Sequence, residues 1–374
     1  MRFHASTLVP REPAMLSALR RLLGSSPGLR RRIVAVYAFL VVFNAAAWAL
    51  ALAASAAYPI LLPTAFLAYT FGLRHAVDAD HIAAIDNSTR KLMQDGQRPV
   101  AVGTFFSLGH STVVAALSLL IAVSAGVMRD MPAAQRIGGL IGTGVSAAFL
   151  LVIGVINLVV LLDIWRMFRE VRDGGSYSEE SLEDFLNNRG LLARFLRPAL
   201  RLIRRSWHMY PLGFLFGLGF DTASEVALLG LAATSGAGGV PAAYILILPA
   251  LFAAGMCAVD TTDGVLMLGA YGWAYVKPIR KLYYNLNITL VSVVIAFVIG
   301  GIEVLSIAAG QLGLSGGIWN LVSGLDFGLV GVGIIAIFVA SWLVSTAIYR
   351  WKGYDDLLAA TDRPAGLTDQ REAA

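Results

Sequence analysis

The chain alternates long apolar runs with short polar interruptions, and the length of the runs decides what they are. Eight stretches are apolar over roughly 20 residues or more, the length of helix that crosses a hydrocarbon core of about 30 Å. They lie at about 33–57, 60–88, 100–127, 137–163, 209–235, 242–275, 287–312 and 325–349. This pattern predicts an all-α, polytopic membrane protein with eight transmembrane helices. The sixth run is long enough to hold two pieces or an unwound stretch.

The polar stretches divide the chain further. Residues 1–32 form a basic tail with seven arginines, 33–163 hold helices one to four, and 164–208 form a polar loop. Residues 209–349 hold helices five to eight, and 350–374 a polar tail. The loop ends in "LLARFLRPALRLIRRS", which reads as a short amphipathic basic helix. Lys and Arg crowd the N-tail, Arg90, Lys91, Arg98, the long loop, Lys277, Arg280, Lys281, Arg350 and Lys352. The connections near 58, 237 and 316 have none, and the one near 130 has Arg129 and Arg136. The positive-inside tendency then puts both termini in the cytoplasm, in agreement with an even number of spans. No cleavable signal peptide is expected, and the location expected is the cytoplasmic (inner) membrane.

Composition agrees. Hydrophobic residues make up 57% and charged residues 14% of the chain, against about 25% charged in soluble domains, and the mean hydropathy is +0.71. The net charge of +5 follows the loops, so it reports orientation in the bilayer and implies no nucleic-acid partner. A single cysteine, Cys257, excludes an internal disulfide and any multi-cysteine metal cluster.

Against this background "LRHAVDADHIAAIDN", residues 73–87, is anomalous: two histidines, three aspartates and an arginine in the second span. Ionisable groups at membrane depth are costly and usually mark an ion path. On one continuous helix, His75, Asp78 and His81 share a sector of about 120°, with Asp86 near His75. Asp80 and Asn87 fall on another side. The third span adds His110, about 15 Å from the cytoplasmic surface. The fifth adds Asp221 and Glu225 at i and i+4, and the sixth Asp260 and Asp263 one turn apart. Those two aspartates have a second reading, as caps at a break in a long helix. Cys257 and Met256 read as apolar filler, and Glu303 as interfacial.

Three imidazoles and several carboxylates facing one another across spans make a site for a divalent transition metal. Oxygen alone would serve Mg²⁺ or Ca²⁺, so imidazole favours Ni, Co, Zn, Cu or Fe. The metal is read as transported substrate, with no resident cofactor. No Walker lysine motif points to ATP.

Four motifs make the reading specific. "RHAVDADHI", "LGHSTVV" at 108–114, "GFDTASE" at 219–225 and "LFAAGMCAVDTTDG" at 251–264 resemble those of the nickel/cobalt transporter family of secondary permeases. The resemblance covers roughly 70–290. It implies eight spans, cytoplasmic termini, metal recognition by His75, Asp80 and His81, and supporting roles for His110, Asp221, Asp260 and Asp263. Ser224 departs from the Thr expected in many relatives. The histidine-rich loop typical of related efflux proteins is absent, which favours uptake of Ni²⁺ or Co²⁺; export of the same metals is the alternative. The helical wheel turns Asp80 away from His75 and His81, so either Asp80 acts behind the ligands or the helix unwinds there. An intramembrane metalloprotease would need His-Glu-x-x-His, which "HAVDADH" does not supply, so no enzyme is expected.

Two segments recur. "FGL" at 71–73 returns at 216–218, and "SLGH" at 107–110 aligns with "AAGM" at 253–256, shifts of 145 and 146. Three spans separate the copies, which sets them in opposite orientations. Two readings stand: an inverted repeat with its ion site at the repeat interface, or coincidence in a Gly- and Leu-rich chain.

Overall fold

The computed structural model describes residues 27–123, 127–172, 203–219, 223–274 and 278–351. Most of the basic N-tail, most of the 164–208 loop with its expected amphipathic helix, and the C-terminal tail after Trp351 lie outside them. Among the described residues there is helix and no strand. In chain order the helices are α1 (Pro27–Ser55), α2 (Leu61–His75), α3 (Ala79–Gln94), α4 (Val102–Val123), α5 (Val127–Arg172), α6 (Met209–Gly217), α7 (Ala223–Ala237), α8 (Ala242–Ile245), α9 (Ile247–Ala274), α10 (Pro278–Leu312), α11 (Gly317–Ser323) and α12 (Phe327–Trp351).

Among the described residues, six helical segments are long and apolar enough to cross a membrane: Pro27–Ser55, Val102–Ile121, Gly139–Arg166, Ala242–Gly269, Thr289–Leu312 and Phe327–Ser345. The other two runs read as spans from the sequence, 60–88 and 209–235, are not continuous helices. The first divides into α2 and α3, the second into α6 and α7. The first interruption falls within a polar cluster, where a straight apolar rod gives way to backbone that can aim side chains inward.

The interruption after α2 has an identifiable form. His75 ends α2, and the N–H groups of Ala76, Val77 and Asp78 fold back onto the carbonyls of Gly72, Arg74 and His75 at 3.0–3.2 Å. Asp78 then takes an extended conformation (φ −64°, ψ 146°) and starts α3. An aspartate at this point ordinarily accepts a backbone N–H of the new helix. Here its side chain makes no such bond and turns to a histidine instead, as described below. α3 is the polar half of the span, and it is buried from Ala79 to Leu92 with Asp80 alone partly exposed. Protein on several sides makes that tolerable, because α9, α10 and α12 all pack on α3.

Helices in a bilayer gain little from hydrophobic contact with one another and associate through close packing of small residues. α2 lies on α9 and α6 on α4 in this manner. A Cβ on Gly72 would strike the Phe252 carbonyl, and one on Gly255 would strike the Tyr69 carbonyl. In the second pair, a Cβ on Gly213 would strike the Phe106 carbonyl and one on Gly109 the Tyr210 carbonyl. Large apolar side chains on the outside, such as Val41, Val42, Leu50, Leu329 and Val332, leave an apolar periphery suited to lipid.

Candidate metal centre

His75, His81 and His110 converge. His75 reaches the centre as the last residue of α2, His81 from the first turn of α3, and His110 from the middle of α4. Their ring centroids form a nearly equilateral triangle: 4.7 Å between 75 and 81, 4.8 Å between 75 and 110, 4.9 Å between 81 and 110. One ligand nitrogen from each lies within 4.8 Å of the others, and all three side chains are buried. Phe106 stands edge-on to the His81 ring at 4.8 Å, and Phe252 lies 5.5 Å from that of His75. The break explains how His75 and His81 meet. The continuous helix of the sequence reading does not form, and the turn at 76–78 folds one helix end towards the start of the next.

Carboxylates complete the centre. Nε2 of His75 and Nε2 of His110 are 2.9 Å apart. Oε1 of Glu225 lies 2.8 Å from the second and 3.9 Å from the first. Ligands about 2.0–2.1 Å from one ion stand roughly 3 Å from each other, so these three atoms have the spacing of a coordination shell. His81 is held from behind: its Nδ1–H donates to Oδ2 of Asp260 at 3.3 Å, which also accepts from Ser107 Oγ at 2.7 Å. That leaves Nε2 of His81, which has no partner among the described residues. A histidine whose other nitrogen donates to a carboxylate is the usual form of a metal ligand. His75 is held likewise, with Nδ1 3.1 Å from Oδ2 of Asp78 and 3.2 Å from Oγ of Ser224.

Each candidate from the sequence has a place, with one exception. His75, His81, His110, Glu225 and Asp260 are together. Asp78, which the wheel groups with His75 and His81, touches His75 through the nitrogen that faces away from Glu225 and His110, an orienting position. Asp80, partly exposed in the first turn of α3, makes no contact with the ring atoms but acts electrostatically on both His75 and His81. Asp263, one turn beyond Asp260, lies outside the imidazole cluster, within electrostatic range of Asp86. Asp86 itself accepts from Ser292 Oγ at 2.7 Å. Asp221 lies outside the described residues. Glu303, read as interfacial, is buried against Ser146, which donates to it at 2.7 Å. Cys257 is buried and free. Ser107 was missed, because a serine within an apolar helix carries no signal until Asp260 is set opposite it.

Comparison with known proteins points the same way. Residues 61–348 match the family described as "High-affinity nickel-transport protein". The chain is 55% identical to a high-affinity nickel transport protein of Cupriavidus necator, over 87% of this chain and 94% of that protein. It is 53% identical to the nickel transporter NicT of Mycobacterium tuberculosis, over 76% of this chain and 77% of the other. It is also 42% identical to the cobalt transport protein NhlF of Rhodococcus rhodochrous, over 84% and 91%. No solved structure matches the chain.

Proposed function

This chain belongs to the high-affinity nickel-transport protein family, and from that membership we propose that it imports Ni²⁺ or Co²⁺ across the cytoplasmic membrane through the centre at the break in its second span. The observation that carries the proposal is the convergence of His75, His81 and His110 with Glu225, buried in a helical transport protein. Mixed nitrogen and oxygen ligation suits both metals. In this reading His75, His81, His110 and Glu225 hold the ion. Asp78, Ser224 and Asp260 fix the rings, Asp80 acts on them electrostatically, and Asp221 and Asp263 keep the supporting roles that the family resemblance implies.

The membrane arrangement proposed has eight crossings, two of them made by the broken pairs α2/α3 and α6/α7, with both termini, 1–32 and 350–374, and the 164–208 loop in the cytoplasm. An inverted repeat of spans two and three on five and six is part of it. The glycine contacts support that repeat: Gly72 on Phe252 and Tyr69 on Gly255 correspond to Gly213 on Phe106 and Tyr210 on Gly109. Phe106 and Gly109 match Phe252 and Gly255 at the shift of 146 read from the sequence. Tyr69 and Gly72 match Tyr210 and Gly213 at a shift of 141, about one helical turn from the "FGL" alignment. Broken helices at a repeat interface are a common way to hold an ion at mid-membrane.

Accumulation of radioactive nickel by cells with and without the gene tests the direction. Import predicts higher accumulation with the gene, and His75→Ala or His81→Ala removes the increment at matched protein level. Lower accumulation with the intact gene would establish export. Wild-type accumulation by either variant would remove the site assignment.

A further inference from the structure

Arg74 precedes His75 at the end of α2, and its side chain is 43% exposed. Its Nη2 donates to both carboxylate oxygens of Asp326, at 3.0 Å each. Asp326 stands in the connection just ahead of α12, and its Oδ1 also accepts the N–H groups of Gly328 at 2.8 Å and Leu329 at 3.2 Å. One carboxylate thus caps a helix and grips an arginine on another. α12 rests directly on the break in the second span: a Cβ on Gly331 would run into the carbonyl of Val77. A Cβ on Gly328 would lie 3.1 Å from Oδ1 of Asp326, 3.3 Å from Oδ1 of Asp78 and 3.4 Å from Nη2 of Arg74. The exposed carboxylate, the guanidinium and the buried carboxylate that orients His75 therefore converge on one glycine.

An exposed ion pair adds little to stability, so the effect of this one lies in what it positions. We propose that the Arg74–Asp326 pair is the outer latch of the ion path. While it is closed, α12 is pinned across residues 76–78 and the guanidinium's positive charge stands beside Asp78. A divalent cation reaches His75 only after the pair parts. The latch rests on the reading that the cation enters from the outer face. Arg74 and Asp326 are positioning residues, since neither contacts the imidazole cluster.

The test reads access rather than transport. On a Cys257→Ala background, Val77→Cys places one thiol at the break, and a membrane-impermeant maleimide is applied to intact cells. Asp326→Asn keeps a residue that caps helices well while removing the charge, and Arg74→Gln removes the other partner. Each is expected to speed labelling by about tenfold, the scale on which coupling between two sites shifts an equilibrium. Labelling at the parent's rate in both variants overturns the latch. If a variant does not reach the membrane, added salt acts on the parent protein instead, because an exposed pair is screened. Faster labelling in salt supports the latch, and salt-independent labelling overturns it. If the dependence appears only in inside-out vesicles, the pair faces the cytoplasm and the assignment to the outer side fails. Labelling needs no metal, so failure of the latch and failure of the import reading are separate outcomes.

Discussion

At the residue scale the centre depends on which nitrogen of each histidine is committed elsewhere. Asp260 takes Nδ1–H of His81, and Ser107 donates to the same carboxylate oxygen. Asp260→Asn keeps the shape but weakens the orientation, so metal binding by purified protein should fall about 10–100-fold, the range seen when such supports are removed. Isothermal titration with Ni²⁺ checks this, and unchanged affinity would mean Asp260 does not support His81. Asp326 allows a prediction with a sign. The N–H of Leu329, then the charge of Arg74, hold its carboxyl below the usual carboxylate range. A group lowered in this way contributes above its unfolded value of about 3.9, and the contribution disappears only as pH falls through the lower folded value. The latch should therefore stay closed between about pH 5.5 and 7.5, so the ratio of Val77→Cys labelling rates with Asp326→Asn and with Asp326 should be constant there, both rates following the thiolate fraction. Uptake, by contrast, should weaken towards the acid end, because a ligating imidazole must be neutral.

At the element scale the two interrupted helices do what continuous ones could not. Sequence periodicity reads 60–88 and 209–235 as spans and marks their polar ends. It could not show that both would break, because a local turn at Ala76–Asp78 is decided by what α9, α10 and α12 place around it. The break also changes the geometry at Asp80. With a break before it, the wheel that turned it away from the histidines no longer applies, and it sits in the first turn of α3, where a helix dipole favours a carboxylate. The close crossings can be tested in pairs. Gly72→Val and Gly213→Val each push a side chain into a carbonyl on the facing helix, with an expected cost of about 1–3 kcal/mol. If the two halves repeat, both should lower the melting temperature of the purified protein by similar amounts. A large effect at one and none at the other would speak against equivalence.

At the scale of the whole molecule the question is what drives the cation. A membrane potential of about 100 mV contributes roughly 2.3 kcal/mol per charge, hence about 4.6 kcal/mol for a divalent ion. On the import reading proposed above, accumulation then needs no coupled ion. In proteoliposomes, an inside-negative potassium diffusion potential should accelerate nickel entry, and collapsing it should slow entry towards the rate set by concentration alone. Entry indifferent to potential would require compensating movement of other charge.

The sequence by itself determined the class of the molecule and singled out the histidines of its candidate centre. Apolar length dictates membrane helices because backbone polar groups must be satisfied inside the bilayer. His75, His81 and His110 stood out because imidazoles are costly among Leu, Ala and Val. Only the tertiary structure decided which carboxylate serves which ring. Asp78, Asp80, Glu225 and Asp260 look alike along the chain, since every one is an acid at membrane depth. Their roles separate only by distance: Glu225 beside two ring nitrogens, Asp260 behind a third, Asp78 behind His75, Asp80 outside the contact. Those distances are set by crossings between helices far apart in sequence. α3 meets α9 and α4 meets α7, and no local pattern encodes the angle at which two such helices cross.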